Sequence, residues 1–417
     1  MESKESKRNL LYLVPIVAFI VAVVLFAMGS CGPTSNGASE ANTKAANASA
    51  ATVASSRTDA YSESHNESEG DGSYRSSNAA SKASAQSSFS STGQAAVNEE
   101  ALSAQNVSLV VDEDQALYTY EDLVKDAEAL QRKYPEWVTV RSLGRTVDGR
   151  EIVHLIIGNP EASNRVLIHG GIHAREYMTV QLVMKQASSF LSHAAAGEVY
   201  GDASYVELLR SNAIHVVPNV NPDGVALSQQ GLEAIKDDAV RSNILAIASA
   251  DGAEPSEAYF MNWKANANGV DLNRNFDALW DVYVGAGQPS SERYKGTAPG
   301  CEVESAALID LTNREHFSRT ISYHEQGSLV YWYFGQTGTL LEESQRFAET
   351  ISSQTGYQIY SNYENLDPAG YKDWAIQSEG IPSLTIEIGL GEMPLPAEQF
   401  ARVWLQNEHV WEATLLQ

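Results

Sequence analysis

Cysteine is nearly absent from this 417-residue chain: there are 2, Cys31 and Cys301. Cys31 abuts an apolar N-terminal run, which leaves Cys301 without a counterpart, so the fold does not depend on a disulfide. Positive charge is also scarce. Lysine and arginine number 28 against 53 aspartates and glutamates, a formal net charge of −25 at pH 7. A surface of that sign repels phosphates, which argues against nucleic acid as a partner. Large apolar side chains are rare across residues 32–110, where Ser, Ala, Asn and Gly dominate. Such a composition cannot bury enough surface to offset chain entropy. The stretch is therefore expected to be a disordered tether, and it contains nothing that reads as a folded propeptide.

Ahead of the tether stand a basic segment, residues 1–9 with Lys4, Lys7 and Arg8, and an apolar segment, residues 10–31. From Leu10 to Met28 there is no charge. At roughly 1.5 Å per residue a helix of that length nearly spans a hydrocarbon core of about 30 Å. It exceeds the roughly 7–15 residues of a signal-peptide core, which favours a transmembrane anchor. The basic residues before it place the N-terminus inside and the bulk of the chain outside. Phe26-Ala-Met-Gly-Ser-Cys31 also resembles a lipoprotein cleavage site with Cys31 lipidated, and simple secretion is a third possibility. Each of the three makes the folded part extracytoplasmic.

Residues 111–417 suit one globular α/β domain. An opening helix is expected over Thr119–Lys133, then strands near Val138–Ser142, Val153–Ile157 and Val166–His169. A helix follows Glu176, a strand spans Ile214–Pro218, and later strands carry His324 and Glu387. Alternation of this kind predicts a mixed, mostly parallel sheet flanked by helices on both faces. Residues 228–260 read as an inserted surface loop, which is thermodynamically cheap.

The most informative stretch is Val166-Leu-Ile-His-Gly-Gly-Ile-His-Ala-Arg-Glu-Tyr177. An apolar strand ends in a Gly-Gly turn, and His173-x-x-Glu176 follows at what reads as a helix start. On a helix such a pair shares one face and could reach one metal ion. A His, a Glu, a further His and an open position form the usual ligand set of a catalytic zinc site. The spacing alone is weak: His409 and Glu412 repeat it in a C-terminal amphipathic helix whose Val403, Trp404, Val410, Trp411 and Leu415 should pack while its charges face water. Context strengthens the first pair. Thr320-Ile-Ser-Tyr-His-Glu-Gln-Gly327 delivers His324 at the end of an apolar strand. Pro382-Ser-Leu-Thr-Ile-Glu-Ile-Gly389 places one carboxylate, Glu387, in a buried-strand pattern, where a charge is costly unless paired or functional. Strand ends are where open α/β sheets build sites. His169 and His215 sit in apolar strands and read as core residues, and His154 has no metal partner by spacing.

Taken with Gly144-Arg-Thr-Val-Asp-Gly-Arg150, Asn221-Pro-Asp-Gly224, Gly269-Val-Asp-Leu-Asn-Arg274 and Asp373-Trp374, these segments resemble the zinc carboxypeptidase family typified by pancreatic carboxypeptidase A. The likeness runs from about Tyr118 to the C-terminus in the family's order. It implies that His173, Glu176 and His324 hold Zn2+, that Glu387 is the general base, and that Asn273 and Arg274 grip a substrate carboxylate. Arg175 would add positive charge toward the substrate. Lys264 stands where digestive members carry an arginine that stabilises the oxyanion, and it offers a point charge without a two-pronged fork. Gln326 replaces a family tyrosine. The mobile capping tyrosine falls near Asn365, with Tyr363 the nearest candidate. Lys372 falls at the position that sets side-chain preference and would favour an acidic group on the residue released.

These features imply a metallocarboxypeptidase acting on peptides. Trp263-Lys-Ala-Asn, His324-Glu-Gln-Gly and Gly370-Tyr-Lys-Asp-Trp374 also resemble bacterial members that cut γ-D-glutamyl-diamino acid bonds in peptidoglycan stem peptides. A diamino acid with a distal carboxylate would suit Lys372, whereas Arg274 argues for a free α-carboxylate. The contrasting class, an inactive peptide- or wall-binding module, would be marked by loss of a zinc ligand or of the base. All four residues are present.

Overall fold

Thr119 starts the first helix by closing a capping box: its hydroxyl accepts the Asp122 amide at 3.2 Å, and the Asp122 carboxylate accepts the Thr119 amide at 3.1 Å. The helix that follows, α1 (Tyr120–Lys133), buries Leu123, Ala127 and Leu130 along one face, the three-to-four spacing of an amphipathic helix. The structure is a computed structural model and describes residues 111, 117–361, 363 and 366–417. The basic segment, the anchor or lipoprotein segment and the tether lie outside the described residues, as does Asn365. Among the described residues no helix is long and apolar enough to cross a membrane.

Ten strands follow in chain order: β1 (Val138–Arg145), β2 (Glu151–Gly158), β3 (Asn164–His169), β4 (Val199–Tyr200), β5 (Ala203–Ser204), β6 (Asn212–Val217), β7 (Arg319–Glu325), β8 (Leu329–Tyr331), β9 (Gln358–Tyr360) and β10 (Ser383–Ile388). β4 and β5 form a small hairpin, and the rest make one 8-stranded sheet in the order β1-β2-β6-β3-β7-β10-β8-β9. Its centre, β6-β3-β7-β10, is parallel, while the β1-β2, β2-β6 and β10-β8 pairs are antiparallel. The expected mixed, mostly parallel sheet is present.

The central strands are buried on both faces, as parallel strands between helices must be. Neighbouring residues of β3 divide between them: Ile168 packs in one core with Val183 and Phe190 of α2 (Met178–Ala196), and Leu167 packs in another with Leu308 and Leu311 of α3 (Val303–Glu315) and Trp374 and Ala375 of α4 (Tyr371–Gln377). Register then places the chemistry. β10 runs parallel to β7 with Glu387 opposite His324, and each is one residue short of its strand's C-terminal end.

Three expectations need correction. Residues 228–260 are no plain loop: helices Asp238–Ala250 and Glu257–Met261 bury Ile244, Ile247 and Phe260 in a third apolar cluster with Trp263. The insertion is anchored by a buried ion triad, in which Arg150 meets Asp148 at 2.6 Å and Asp223 at 2.9 Å and donates to the Ala234 carbonyl at 2.6 Å. Two of the motifs singled out above therefore serve structure here. The apolar residues of the C-terminal helices pack as expected, but Glu412 does not face water; it is buried and accepts the Tyr205 hydroxyl at 2.7 Å. Finally, His173 and Glu176 precede α2 and do not lie within it. His169 is a core residue whose Nε2 bonds Ser322 at 2.7 Å while its Nδ1 is buried without a partner, and His154 pairs with His215 at 3.1 Å.

Candidate metal centre and its cleft

The loop from β3 into α2 is bent by Gly171, whose φ of +59° is in the left-handed region and whose absent Cβ would lie 2.8 Å from Asn219 Oδ1 and from Val180 Cγ2. Only glycine fits there. The turn that follows is tightened by a Glu176 amide bond to the His173 carbonyl at 3.2 Å, and the Thr179 hydroxyl donates to the Glu176 carbonyl at 2.6 Å. It aims both side chains inward, where β7 supplies His324.

His173 Nδ1 lies 2.7 Å from Glu176 Oε1, His324 Nδ1 lies 2.9 Å from Glu176 Oε2, and the two Nδ1 atoms are 3.1 Å apart. All three residues are buried, and among the described residues they are the one group of this kind that could hold a metal ion. The donor set fits zinc. Ligands at about 2.0–2.1 Å from a tetrahedral ion stand roughly 3.3 Å from one another, near the separations seen. Two imidazole nitrogens and both oxygens of a carboxylate crowd together inside the protein, a concentration of lone pairs that a cation would satisfy. His324 is pushed below the usual imidazole range, chiefly by burial and against the pull of Glu176, which favours the neutral, ligating form. Burial would raise the Glu176 carboxyl, but His173 and His324 hold it well below its ordinary value.

Two further carboxylates back this group. Asp271 Oδ1 lies 3.2 Å from His173 Nε2, its Oδ2 lies 3.9 Å from Lys264 Nζ, and it accepts the Arg293 amide at 3.2 Å. Burial opposes ionisation of Asp271, yet Lys264 and His173 keep it well below the usual carboxylate range. An acid behind a ligating histidine fixes its ring and raises its basicity. Glu325 is buried, accepts the amides of Met178 at 3.0 Å and Leu395 at 3.2 Å, and is pushed well up by burial and by Glu176.

Glu387 reaches a cavity of about 280 Å³ that is also lined by Asn273, Arg274, Tyr331, Tyr333, Lys372 and Asp367. Its Oε2 has no hydrogen-bond partner. Burial and the Glu176 charge raise it well above the usual range, with Lys264 pulling the other way. Asn273 Oδ1 accepts the Tyr371 amide at 3.0 Å, tying the clamp to the start of α4. Arg274 bonds Asp367 at 2.6 Å and the Asn273 carbonyl at 2.8 Å. Lys372 is paired with Asp373 and donates to the Tyr333 carbonyl at 3.3 Å.

The structure thus gathers Glu387, Asn273, Arg274 and Lys372 around one cavity and sets Lys264 beside Asp271. It does not bring in Arg175, whose guanidinium turns to the Asn262 carbonyl at 2.9 Å and Glu292 at 3.2 Å. Tyr363 is 58% exposed with its ring 4.4 Å from that of Tyr333, and it does not line the cavity. Sequence reasoning passed over Asp271, Glu325 and Asp367. Glu325 had a signal, an acid directly after His324 at the end of a buried strand. Asp271 sits inside a quoted motif, without a local hint that it backs His173.

Residues 123–410 match a family model described as zinc carboxypeptidase. The chain is 32% identical over 300 residues to gamma-D-glutamyl-L-diamino acid endopeptidase 1 of Lysinibacillus sphaericus, covering 72% of each. It is 26% identical to carboxypeptidase B of Astacus astacus, over 65% of this chain and 86% of that one. Among solved structures, that of thrombin activatable fibrinolysis inhibitor resembles it in fold, with a TM-score of 0.58 at 21% identity over 77% of this chain and 80% of that one.

Proposed function

The chain belongs to the zinc carboxypeptidase family and is a zinc metallopeptidase, and from that premise we propose that it hydrolyses γ-D-glutamyl-diamino acid bonds in peptidoglycan stem peptides. The observation that carries this reading is the pair of cations, Arg274 and Lys372, lining the same cavity as Glu387. A diamino acid with a second carboxylate gives each of them a counter-charge. The named activity of the Lysinibacillus sphaericus relative supports the same choice.

In this reading His173, Glu176 and His324 hold the zinc, and Asp271 steadies the His173 ring. Zinc, when bound, polarises the scissile carbonyl and lowers the pKa of water toward about 7. Glu387 takes a proton from the attacking water and passes it to the departing amine, the work of a general base and then acid. Its raised proton affinity suits the second half of that exchange, while Lys264 moderates it. Lys264 also places a positive charge where the carbonyl oxygen becomes anionic. Asn273 and Arg274 receive the α-carboxylate of the departing residue, because a guanidinium matches a carboxylate with two parallel bonds. Arg175 contributes only a positive field, and Tyr363 forms part of the aromatic rim above Tyr333. Residues 10–31 would hold the enzyme outside the cytoplasm as an anchor or a lipoprotein signal, with 32–110 as its tether to the wall.

A second reading, a carboxypeptidase that releases acidic C-terminal residues from ordinary peptides, is favoured by Arg274 itself. Mass spectrometry of products separates the two. Zinc-loaded protein would be given α-linked peptides with free or amidated C-termini and a stem peptide containing γ-D-glutamyl-diaminopimelate. Cleavage confined to the γ-D-glutamyl bond is expected. Release of single residues from every free-carboxylate peptide, with the γ-D-glutamyl bond intact, would replace this reading with the second.

A further inference from the structure

Arg274 carries five N–H donors in a fixed fork. One group bonds the Asn273 carbonyl, one bonds Asp367 at 2.6 Å, and Nε is buried without a partner. The two ends of the Arg274–Asp367 pair are unlike: the arginine side chain is 14% exposed, the aspartate 65%. The arginine is therefore built in and its partner is at the surface, where releasing a carboxylate to water costs little. An incoming α-carboxylate can engage two parallel donors of the fork, a stronger arrangement than the single bond to Asp367. The intramolecular acid thus occupies the place where the substrate's carboxylate is expected, and must leave it.

Once displaced, Asp367 is an anion on the wall of a cavity whose other acids are committed. Asp373 is paired with Lys372 and accepts the Gly370 amide at 3.0 Å, and Glu387 is engaged with the water proton. Lys372 has three donors, of which two are used, by Asp373 and the Tyr333 carbonyl. The cleft then presents one cation with a donor to spare and one uncompensated anion. That pattern complements a side chain ending in both an ammonium and a carboxylate.

We propose that Asp367 is a specificity residue: it pairs with Arg274 in the free enzyme, is displaced by the substrate's α-carboxylate, and then receives the ammonium at the distal end of a diamino acid. The inference rests on the γ-D-glutamyl-diamino acid reading and narrows it, because the favoured residue has a zwitterionic distal end, as diaminopimelate has.

The test is calorimetric binding to the zinc-loaded full chain of two ligands, diaminopimelate and 2-aminopimelate, which keeps both carboxylates and lacks the second amine. Wild-type protein is expected to bind diaminopimelate on the order of tenfold more tightly, the scale of one charge-assisted hydrogen bond. Asp367→Asn should abolish the ratio while binding 2-aminopimelate more tightly than wild type does, since the internal competitor for Arg274 has lost its charge. Asp367→Glu should keep part of the ratio. An unchanged ratio in Asp367→Asn, an equal loss for both ligands, or no binding of either to wild type overturns the proposal. Cleavage of a γ-D-glutamyl-diaminopimelate peptide is scored separately. Absent cleavage with the binding ratio intact would reject the linkage and keep the role of Asp367, and cleavage with no effect of Asp367→Asn on the ratio would do the reverse.

Discussion

Replacing Asp271 by Asn removes one charge and keeps the side chain's size. The residue is 1% exposed, so water cannot substitute for what is lost. Its oxygens lie 3.2 Å from His173 Nε2 and 3.9 Å from Lys264 Nζ. At an effective dielectric constant of about 20, a full charge pair at such distances is worth roughly 4–5 kcal/mol before desolvation is subtracted. Burial returns much of that, and about 1.4–2.8 kcal/mol net is a reasonable remainder, equivalent to a 10–100-fold loss of metal affinity. A competitive zinc titration against a chelating fluorophore at pH 7 would read it directly. The same charge also supports the fold. Because Asp271 is held below its ordinary pKa, its contribution is present above about pH 4, the unfolded value, and is lost as pH falls through the folded value. Metal-free wild type should therefore lose melting temperature more steeply than Asp271→Asn as the medium is acidified below about pH 5. Zinc affinity in the variant within twofold of wild type would refute the role assigned to Asp271.

Further outcomes follow from the same geometry. Glu387→Gln should retain zinc and lose about 10²–10⁴-fold in kcat, measured by metal analysis and steady-state kinetics on one preparation. Arg274→Lys keeps the charge and loses the fork; KM for a γ-D-glutamyl-diaminopimelate peptide with a free α-carboxylate should rise about tenfold or more, with kcat changed less. Glu304 is buried beside Glu302, and burial and that neighbouring charge push its carboxyl up to about 8. Between the unfolded value of about 4.3 and that folded value the native state holds a proton that the unfolded chain has released, so stability falls as pH rises and the contribution is lost above about pH 8. Glu304→Gln should flatten the decline in melting temperature between pH 6 and 9 by on the order of 2–4 °C.

Much of the architecture was readable because runs such as Val166–His169, Thr320–Tyr323 and Pro382–Ile388 have the pattern of buried strands, and an ionisable residue at or near the end of such a run stands out by its cost. His324 and Glu387 were found in that way, and the β7–β10 register puts them side by side. The unread parts depend on partners brought from elsewhere in the chain. Asp271 meets His173 across 98 residues, the difference of their numbers, and Asp367 meets Arg274 across 93. Neither contact leaves a local pattern. Arg175 looked poised for the substrate from its place beside Glu176, but backbone direction in the turn sends it toward Asn262 and Glu292. The insertion was read as a loop from the length of the interval between Glu176 and His324, yet Ile244, Ile247 and Phe260 give its helices a buried face once Trp263 and Leu227 complete their cluster.

The most direct test of the account is a zinc titration of metal-free protein with hydrolysis of the γ-D-glutamyl-diaminopimelate peptide as readout. One centre built from His173, Glu176 and His324 predicts activity that rises linearly and reaches its plateau at one zinc per chain, with His324→Ala inactive at any zinc concentration. Hydrolysis by the metal-free protein, or full activity in His324→Ala, would contradict it.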